Sequence, residues 1–142
     1  MRRYRSLLLS GVALAASIVC AAPAPAGPTL PAKGAYAVVV SRKTLADHGW
    51  EKVCDTLVRR YEAELVTWDD DVTAVRPHLA KIMPNYTCFV ARPDECNRDF
   101  VVAVHRLTRR LDADPYTDTL WGIVTGYDAA DAERLAAFEG PL

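Results

Sequence analysis

The sequence predicts an α/β domain built on a parallel, doubly wound sheet of about four strands, with helices on both faces. Four short apolar runs rich in β-branched residues alternate with amphipathic segments at roughly 25–30-residue intervals, which is the pattern of βαβ units. The runs are apolar at successive positions, as is typical of strands buried on both faces. Because crossovers between parallel strands are right-handed, few topologies remain, and the doubly wound sheet is the natural one.

The first 26 residues have the three parts of a secretion signal. A positively charged start precedes the apolar stretch from Leu7 to Ala22, which is too short and too rich in small residues for a membrane span. The positive charges are Arg2, Arg3 and Arg5, and small residues allow cleavage after Ala22, Ala24 or Ala26. We therefore expect an exported protein, periplasmic or extracellular, with a signal peptide at 1–26, a flexible lead-in at 27–35 and the α/β domain at 36–142.

Charge limits the classes of partner. The chain has 17 Lys and Arg against 18 Asp and Glu, and removal of the signal leaves 14 against 18, a net charge of about −4. This mildly acidic balance gives no footprint for nucleic acid or for an anionic membrane surface. After signal cleavage we expect neither partner.

The first strand and helix are predicted from the start of the domain. Residues 36–41 (YAVVVS) form a β-branched apolar run that indicates a buried strand. A helix follows, because apolar side chains recur at helical spacing with charged residues opposite them. These apolar positions are Trp50, Val53, Cys54, Leu57, Val58 and Tyr61. Residues 64–68 (ELVTW) predict the second strand.

The middle of the chain predicts a shorter helix and a third strand. The apolar positions of this helix are Val72, Val75, Leu79 and Ile82. Pro77 is tolerated in the first turns, and Pro84 ends the helix because proline cannot continue it. Residues 86–91 (YTCFVA) predict the third strand.

The third helix has the clearest apolar face. That face consists of Phe100, Val104, Leu107 and Leu111. Residues 119–125 (TLWGIVT) predict the fourth strand. A fourth helix follows, with Asp128 as its N-cap and Asp131 as the acid of a capping box.

Ligands of an open parallel sheet bind outside the carboxyl ends of its strands, so the candidate sites are the four loops there, residues 41–43, 69–71, 92–95 and 125–128. The candidate metal ligands are Asp69, Asp70 and Asp71, which follow the second strand. Clustered carboxylates suit Mg²⁺ or Ca²⁺, but consecutive residues point in different directions and acids are common at a helix N-terminus. We favour a solvated turn, and therefore predict no resident metal and no cofactor.

A second acidic loop surrounds Pro115 and Tyr116. Its carboxylates are Asp112, Asp114 and Asp118. The loop has two interpretations: a surface that binds Ca²⁺ or orients a partner, or a solvated connection between helix and strand.

The cysteines do not predict an active site. Signal cleavage leaves Cys54, Cys88 and Cys96, an odd number, so at least one thiol stays free of intramolecular pairing. Cys54 and Cys88 lie on apolar faces and are expected to be buried, although a Cys88–Cys96 disulfide is an alternative. Acidic neighbours of Cys96 should raise the pKa of its thiol. Nucleotide binding is not indicated either, because no Gly-rich phosphate loop follows the first strand.

Three segments carry a family resemblance. They are AYAVVVSRKTLAD (35–47), ELVTWDDDV (64–72) and FVVAVHRLTRRLDADPYTDTLWGIVTGYDAADAERLA (100–136). Together they resemble exported planctomycete-type proteins related to gingipain-like cysteine peptidases. The segment DPYTDTLWGIVTGYDA is the most specific, since it is similar to the acidic, tyrosine-containing loop that leads into a strand shortly before the catalytic half of that family.

The resemblance implies a caspase-like α/β/α sandwich in which a catalytic His and Cys follow later strands. No residue of this sequence matches those motifs, so no catalytic residue is carried over. We therefore expect the non-catalytic N-terminal portion of a gingipain-like peptidase-type protein, with a missing C-terminal half or a dimer partner covering an open sheet edge. The alternative is a stand-alone exported module that binds a small ligand or divalent cation through its acidic strand-end loops.

Overall fold

The computed structural model describes residues 35–139. The predicted signal peptide at 1–26 and all but the last residue of the predicted lead-in at 27–35 lie outside the described residues.

A four-stranded parallel sheet forms the centre of the molecule. Its strands are β1 (Tyr36–Ser41), β2 (Glu64–Trp68), β3 (Tyr86–Val90) and β4 (Leu120–Val124). Their order across the sheet is β2-β1-β3-β4, and all three neighbouring pairs are parallel. The predicted α/β fold with a parallel, doubly wound sheet is therefore confirmed, and each strand lies where its apolar run predicted it.

The helices connect the strands in sequence order. They are α1 (Arg42–Leu45), α2 (His48–Tyr61), α3 (Arg76–Ile82), α4 (Arg98–Leu107) and α5 (Ala129–Ala136), and a 3-10 turn (Val72–Val75) leads into α3. The sequence pattern did not predict α1. The helix predicted to reach Leu111 ends at Leu107, although Leu111 is still buried in the core.

Two apolar clusters lie on opposite faces of the sheet, because successive residues of a strand point to opposite sides. On one face Val38, Val40, Cys88 and Val90 contact α2 and α5. On the other face, α3, α4 and the 3-10 turn cover a second cluster. Its members include Val39, Val66, Leu79, Phe89, Phe100 and Val104.

Side-chain caps set the helix starts. Asp128 accepts a hydrogen bond from the backbone N–H of Asp131 at 2.9 Å, as predicted for the N-cap of α5. The carboxylate of Asp131 contacts Arg134, so only the N-cap half of the predicted capping box is seen. Asn97 caps α4 by accepting from the N–H of Phe100 at 2.9 Å.

Helix α5 returns to the face that α2 covers, and the two helices approach closely. A Cβ atom on Gly49 would lie 2.7 Å from the Cβ of Ala129, which is too short for any side chain. Lys52 Nζ lies 2.8 Å from Glu133 Oε1 across the same contact. Arg60 donates to the carbonyl of Ala136 at 3.1 Å. The absence of a side chain at Gly49 therefore allows α5 to dock on α2.

The position of α5 decides where the sheet can grow. The crossover from β1 to β2 runs over the α2 face of the sheet. The crossovers from β2 to β3 and from β3 to β4 run over the α4 face, and they proceed across the sheet in the opposite direction, toward β4. Crossovers between parallel strands keep one handedness, so a helix on the α2 face leads back toward β2. A right-handed crossover through α5 therefore cannot add a parallel strand beside β4.

The contact between Gly49 and Ala129 yields the first testable prediction. Gly49→Ala should lower the free energy of unfolding by roughly 1–3 kcal/mol, because an added methyl group overpacks the α2–α5 interface. Gly122→Ala is the matched control, since a Cβ there meets nothing within 4 Å. Urea denaturation measures both variants. Equal stability of the two would contradict the proposed close approach.

Candidate functional site

The carboxyl ends of β1 and β3 form the switch point of the sheet. From β1 the chain crosses to β2 over the α2 face, whereas from β3 it crosses to β4 over the α4 face. In doubly wound folds the crevice between two such strands is where ligands bind. Here the loops that border it are residues 41–44 after β1 and 91–97 after β3.

Glu95 closes this crevice from the β3 side. Its Oε1 accepts a hydrogen bond from Ser41 Oγ at 2.7 Å, and its Oε2 accepts one from Thr44 Oγ1 at 2.5 Å. Ser41 Oγ also accepts from the backbone N–H of Thr44 at 2.9 Å, as the N-cap of α1. Both hydroxyl residues are buried, so a single carboxylate satisfies them inside the crevice.

Ion pairs join charged side chains of the loops after β1, β2 and β3. Asp94 lies 3.1 Å from Lys43 Nζ and 3.1 Å from Arg92 Nε. The hydrogen bond from Lys43, followed by that from Arg92, holds the pKa of Asp94 below its usual range. Arg42 and Asp69 lie 3.5 Å apart at the adjacent strand end. Groups of the protein itself therefore occupy the place where a ligand would bind in this fold.

The predicted metal candidates at the end of β2 are not brought together. Asp69, Asp70 and Asp71 are all exposed. Asp69 faces Arg42, and Asp71 accepts from the backbone N–H of Thr73 at 2.8 Å, which caps the 3-10 turn. This geometry matches the interpretation as a solvated turn that starts a helix.

The second acidic loop does bring its carboxylates together. One carboxylate oxygen each of Asp112, Asp114 and Asp118 lies within 4.8 Å of the other two. Each residue also accepts a backbone N–H of the same loop: Asp118 from Leu111 at 2.8 Å, Asp112 from Asp114 at 2.8 Å, and Asp114 from Tyr116 at 2.7 Å. These bonds account for the loop, and three carboxylates supply at most half of the six to eight oxygens that Ca²⁺ takes.

The three described cysteines are free thiols. Cys54 and Cys88 are buried, as predicted, and burial raises the pKa of Cys54 to about 12 and that of Cys88 to about 11. The pKa of Cys96 is also raised. The direction is the predicted one, but the cause is burial and not the neighbouring acids.

The three histidines are exposed and make separate contacts. His48 lies 3.1 Å from Glu51, and His78 lies 2.5 Å from Glu64. The ring of His105 lies 6.3 Å from that of Trp121. These contacts do not pair an imidazole with a thiol.

An apolar groove of about 700 Å³ lies at the carboxyl end of β4. Its lining residues include Pro93, Cys96, Tyr127, Leu135 and Phe138. The Thr125 hydroxyl at its wall is buried without a hydrogen-bond partner among the described residues.

The strand-end rule placed residues 92–95 and 125–128 among the candidate loops, but it predicted neither the contacts of Glu95 nor the groove. Glu95 lies in a charged turn of the kind that is typical of solvent-exposed loops. Its hydrogen-bond partners Thr44 and Ser41 are 51 and 54 residues away along the chain. The groove joins a loop after β3 to the outer side of α5, so it appears only after the sheet order is known.

No protein-family model, curated protein or solved structure matches the chain. Within residues 35–139, no helix has the length and apolar character needed to cross a bilayer.

The Glu95 network yields a stability prediction. Glu95→Ala should lower the free energy of unfolding by roughly 1–3 kcal/mol, because two buried hydroxyls lose their acceptor. Thr44→Val should cost less, and the double variant less than the sum of the two. Asp94→Ala is the control, and it should change stability much less than Glu95→Ala because solvent screens the ion pairs of this exposed carboxylate. Strict additivity of Glu95→Ala and Thr44→Val would contradict the direct bond.

The buried thiols yield a pH prediction. In the folded chain the thiol pKa is about 12 for Cys54 and about 11 for Cys88, whereas the pKa of an unfolded thiol is 9.0. Their contribution to stability is therefore complete below pH 9 and is lost as the pH rises toward 11–12. The melting temperature should fall over this range, and Cys54→Val and Cys88→Val should make the fall shallower. An unchanged slope in both variants would show that these thiols are not buried.

Proposed function

We propose that this chain is the non-catalytic N-terminal portion of an exported, gingipain-like peptidase-type protein. It contributes a folded α/β unit, and the catalytic His and Cys reside in a different half. The observation that carries the proposal is the closed switch point. Because Glu95 binds Ser41 and Thr44 there, the position at which this fold class places substrates is taken up by the protein's own side chains.

The thiols support a non-catalytic role. A cysteine nucleophile acts as a thiolate, which a neighbouring imidazole or another positive charge must stabilise. Cys54 and Cys88 are buried in the core with raised pKa values. Cys96 lines the apolar groove, whose lining residues include no histidine, and burial raises the pKa of this thiol as well.

The acidic loop supports the family assignment. The resemblance implies an acidic, tyrosine-containing loop leading into a strand, and the loop with Asp112, Tyr116 and Asp118 leads directly into β4. Tyr116 is exposed on this loop, so its side chain is free to contact another domain or chain.

A cysteine-directed, peptidyl activity probe tests the non-catalytic role. We expect Cys96 to react no faster in the folded chain than in the denatured chain, with Cys96→Ser as the control for background labelling. Labelling of one cysteine that requires the folded state and disappears in a histidine variant would overturn the proposal.

Two further measurements separate the proposal from the stand-alone binding module. An in-frame genomic continuation encoding a His-Gly pair and a later Cys supports the proposal. A genuine stop after Leu142, together with a saturable calcium-induced change in Trp121 fluorescence that Asp114→Ala abolishes, would favour the binding module.

A further inference from the structure

We propose that β4 pairs antiparallel with β4 of a second copy of this chain, in a register centred on Gly122, to form one continuous eight-stranded sheet. The pairing is independent of the proposed function. It rests on the open edge of β4, on the composition of that strand and on the groove beside it.

The two edges of the sheet differ in protection. Exposed edge strands of soluble proteins usually carry charges, prolines or bulges that prevent pairing with another chain. The β2 edge carries Glu64, whose carboxylate lies 2.5 Å from the imidazole of His78. The β4 edge, Leu120–Val124 (LWGIV), contains no charged residue and no proline. Leu120 is 67 % exposed although it lies within the strand.

Backbone geometry sets the groups that β4 offers. The N–H of Leu120 donates to the carbonyl of Asn85, and the carbonyl of Val124 accepts from Ala91, both toward the β3 side. Because backbone groups alternate along a strand, those of Trp121 and Ile123 point to the open edge. The backbone of another extended strand can donate and accept the hydrogen bonds that these N–H and C=O groups need.

A second copy fits these groups in register. Two identical strands related by a two-fold axis run antiparallel, and centring on Gly122 places Trp121 opposite Ile123 of the second copy as hydrogen-bonded pairs. Leu120 then lies opposite Val124, and the two glycines meet at the close, non-hydrogen-bonded position. Aromatic and β-branched pairs are favourable across strands, and no like charges face each other.

The topology favours this partner over a further strand of the same unit. A right-handed crossover through α5 leads toward β2, so it does not supply a parallel strand to β4. Antiparallel pairing at the edge of an otherwise parallel sheet is common. A second copy meets this requirement without any additional chain.

The same register fills the groove at the carboxyl end of β4. The residues that precede β4 in the second copy lie opposite residues 125–128 of the first. Tyr116 is the large exposed side chain in that segment, at 75 % exposure, and the groove offers Tyr127, Leu135 and Phe138 as apolar contacts. The exposed Arg134 at the groove rim complements the acidic loop that carries Tyr116.

Sedimentation velocity of the full chain over a dilution series tests the pairing. We expect a reversible monomer–dimer equilibrium, and Leu120→Lys should weaken it at least about tenfold, because a charged side chain then replaces the apolar partner of Val124 at both ends of the paired edge. Leu65→Lys on β2 is the matched control and should leave the equilibrium unchanged. A chain that stays monomeric at every concentration overturns the proposal, as does a dimer that Leu120→Lys leaves intact.

A disulfide trap tests the register. The background variant replaces Cys96 and also Cys20, which lies in the predicted signal peptide, with serine. Oxidised glutathione should then link the Gly122→Cys residues of two copies by a disulfide, as it takes up the two electrons and two protons that the two thiols lose and is reduced to two glutathione thiols. The paired Cα atoms would be about 4.5 Å apart, within the range of a disulfide. Leu65→Cys should stay reduced under the same conditions. Equal cross-linking of Gly122→Cys and Leu65→Cys would contradict the register. A monomeric chain would overturn the pairing but not the proposed non-catalytic function, which the activity probe tests separately.

Discussion

The close contact between α2 and α5 is the constraint on which the arrangement of this molecule depends. A parallel sheet needs both faces covered, and α5 completes the α2 face by packing across Gly49, where any side chain would meet Ala129. Since α5 lies there, the handedness of parallel crossovers directs further winding away from β4. The same contact therefore completes the core and leaves β4 with no neighbouring strand on its outer side among residues 35–139.

The crevice at the carboxyl ends of the inner strands is closed, whereas the edge strand β4 is exposed. At the carboxyl ends of β1 and β3, the Glu95 carboxylate satisfies two buried hydroxyls and occupies the crevice. At β4, apolar side chains and the backbone groups of the outer side are accessible within the part of the chain that the structure describes. Five of the nine exposed large apolar residues of the described chain lie in β4, in the loop before it or in the segment after it. The proposed pairing with a second copy would cover part of this apolar surface.

Local patterns predicted most of the fold, because burial on both faces leaves an apolar run for each strand and an apolar stripe for each long helix. Single residues also predicted the N-cap at Asp128 and the end of α3 before Pro84. The four-residue helix α1 was missed because it is too short to show a period. The candidate site was much less predictable: Glu95 acts through residues more than 50 positions away, and no local pattern encodes such a contact. The acidic run Asp69–Asp71 was the more conspicuous motif, yet its carboxylates diverge, while those of Asp112, Asp114 and Asp118 converge.

Residue-resolved amide hydrogen exchange in β4 distinguishes an edge that is open within one copy and closed between two copies from an edge that stays open. Leu120, Gly122 and Val124 face β3, so their amides should be protected at every concentration. The amides of Trp121 and Ile123 should exchange rapidly in dilute solution and slowly in concentrated solution. Rates for Trp121 and Ile123 that do not change with concentration would contradict the account.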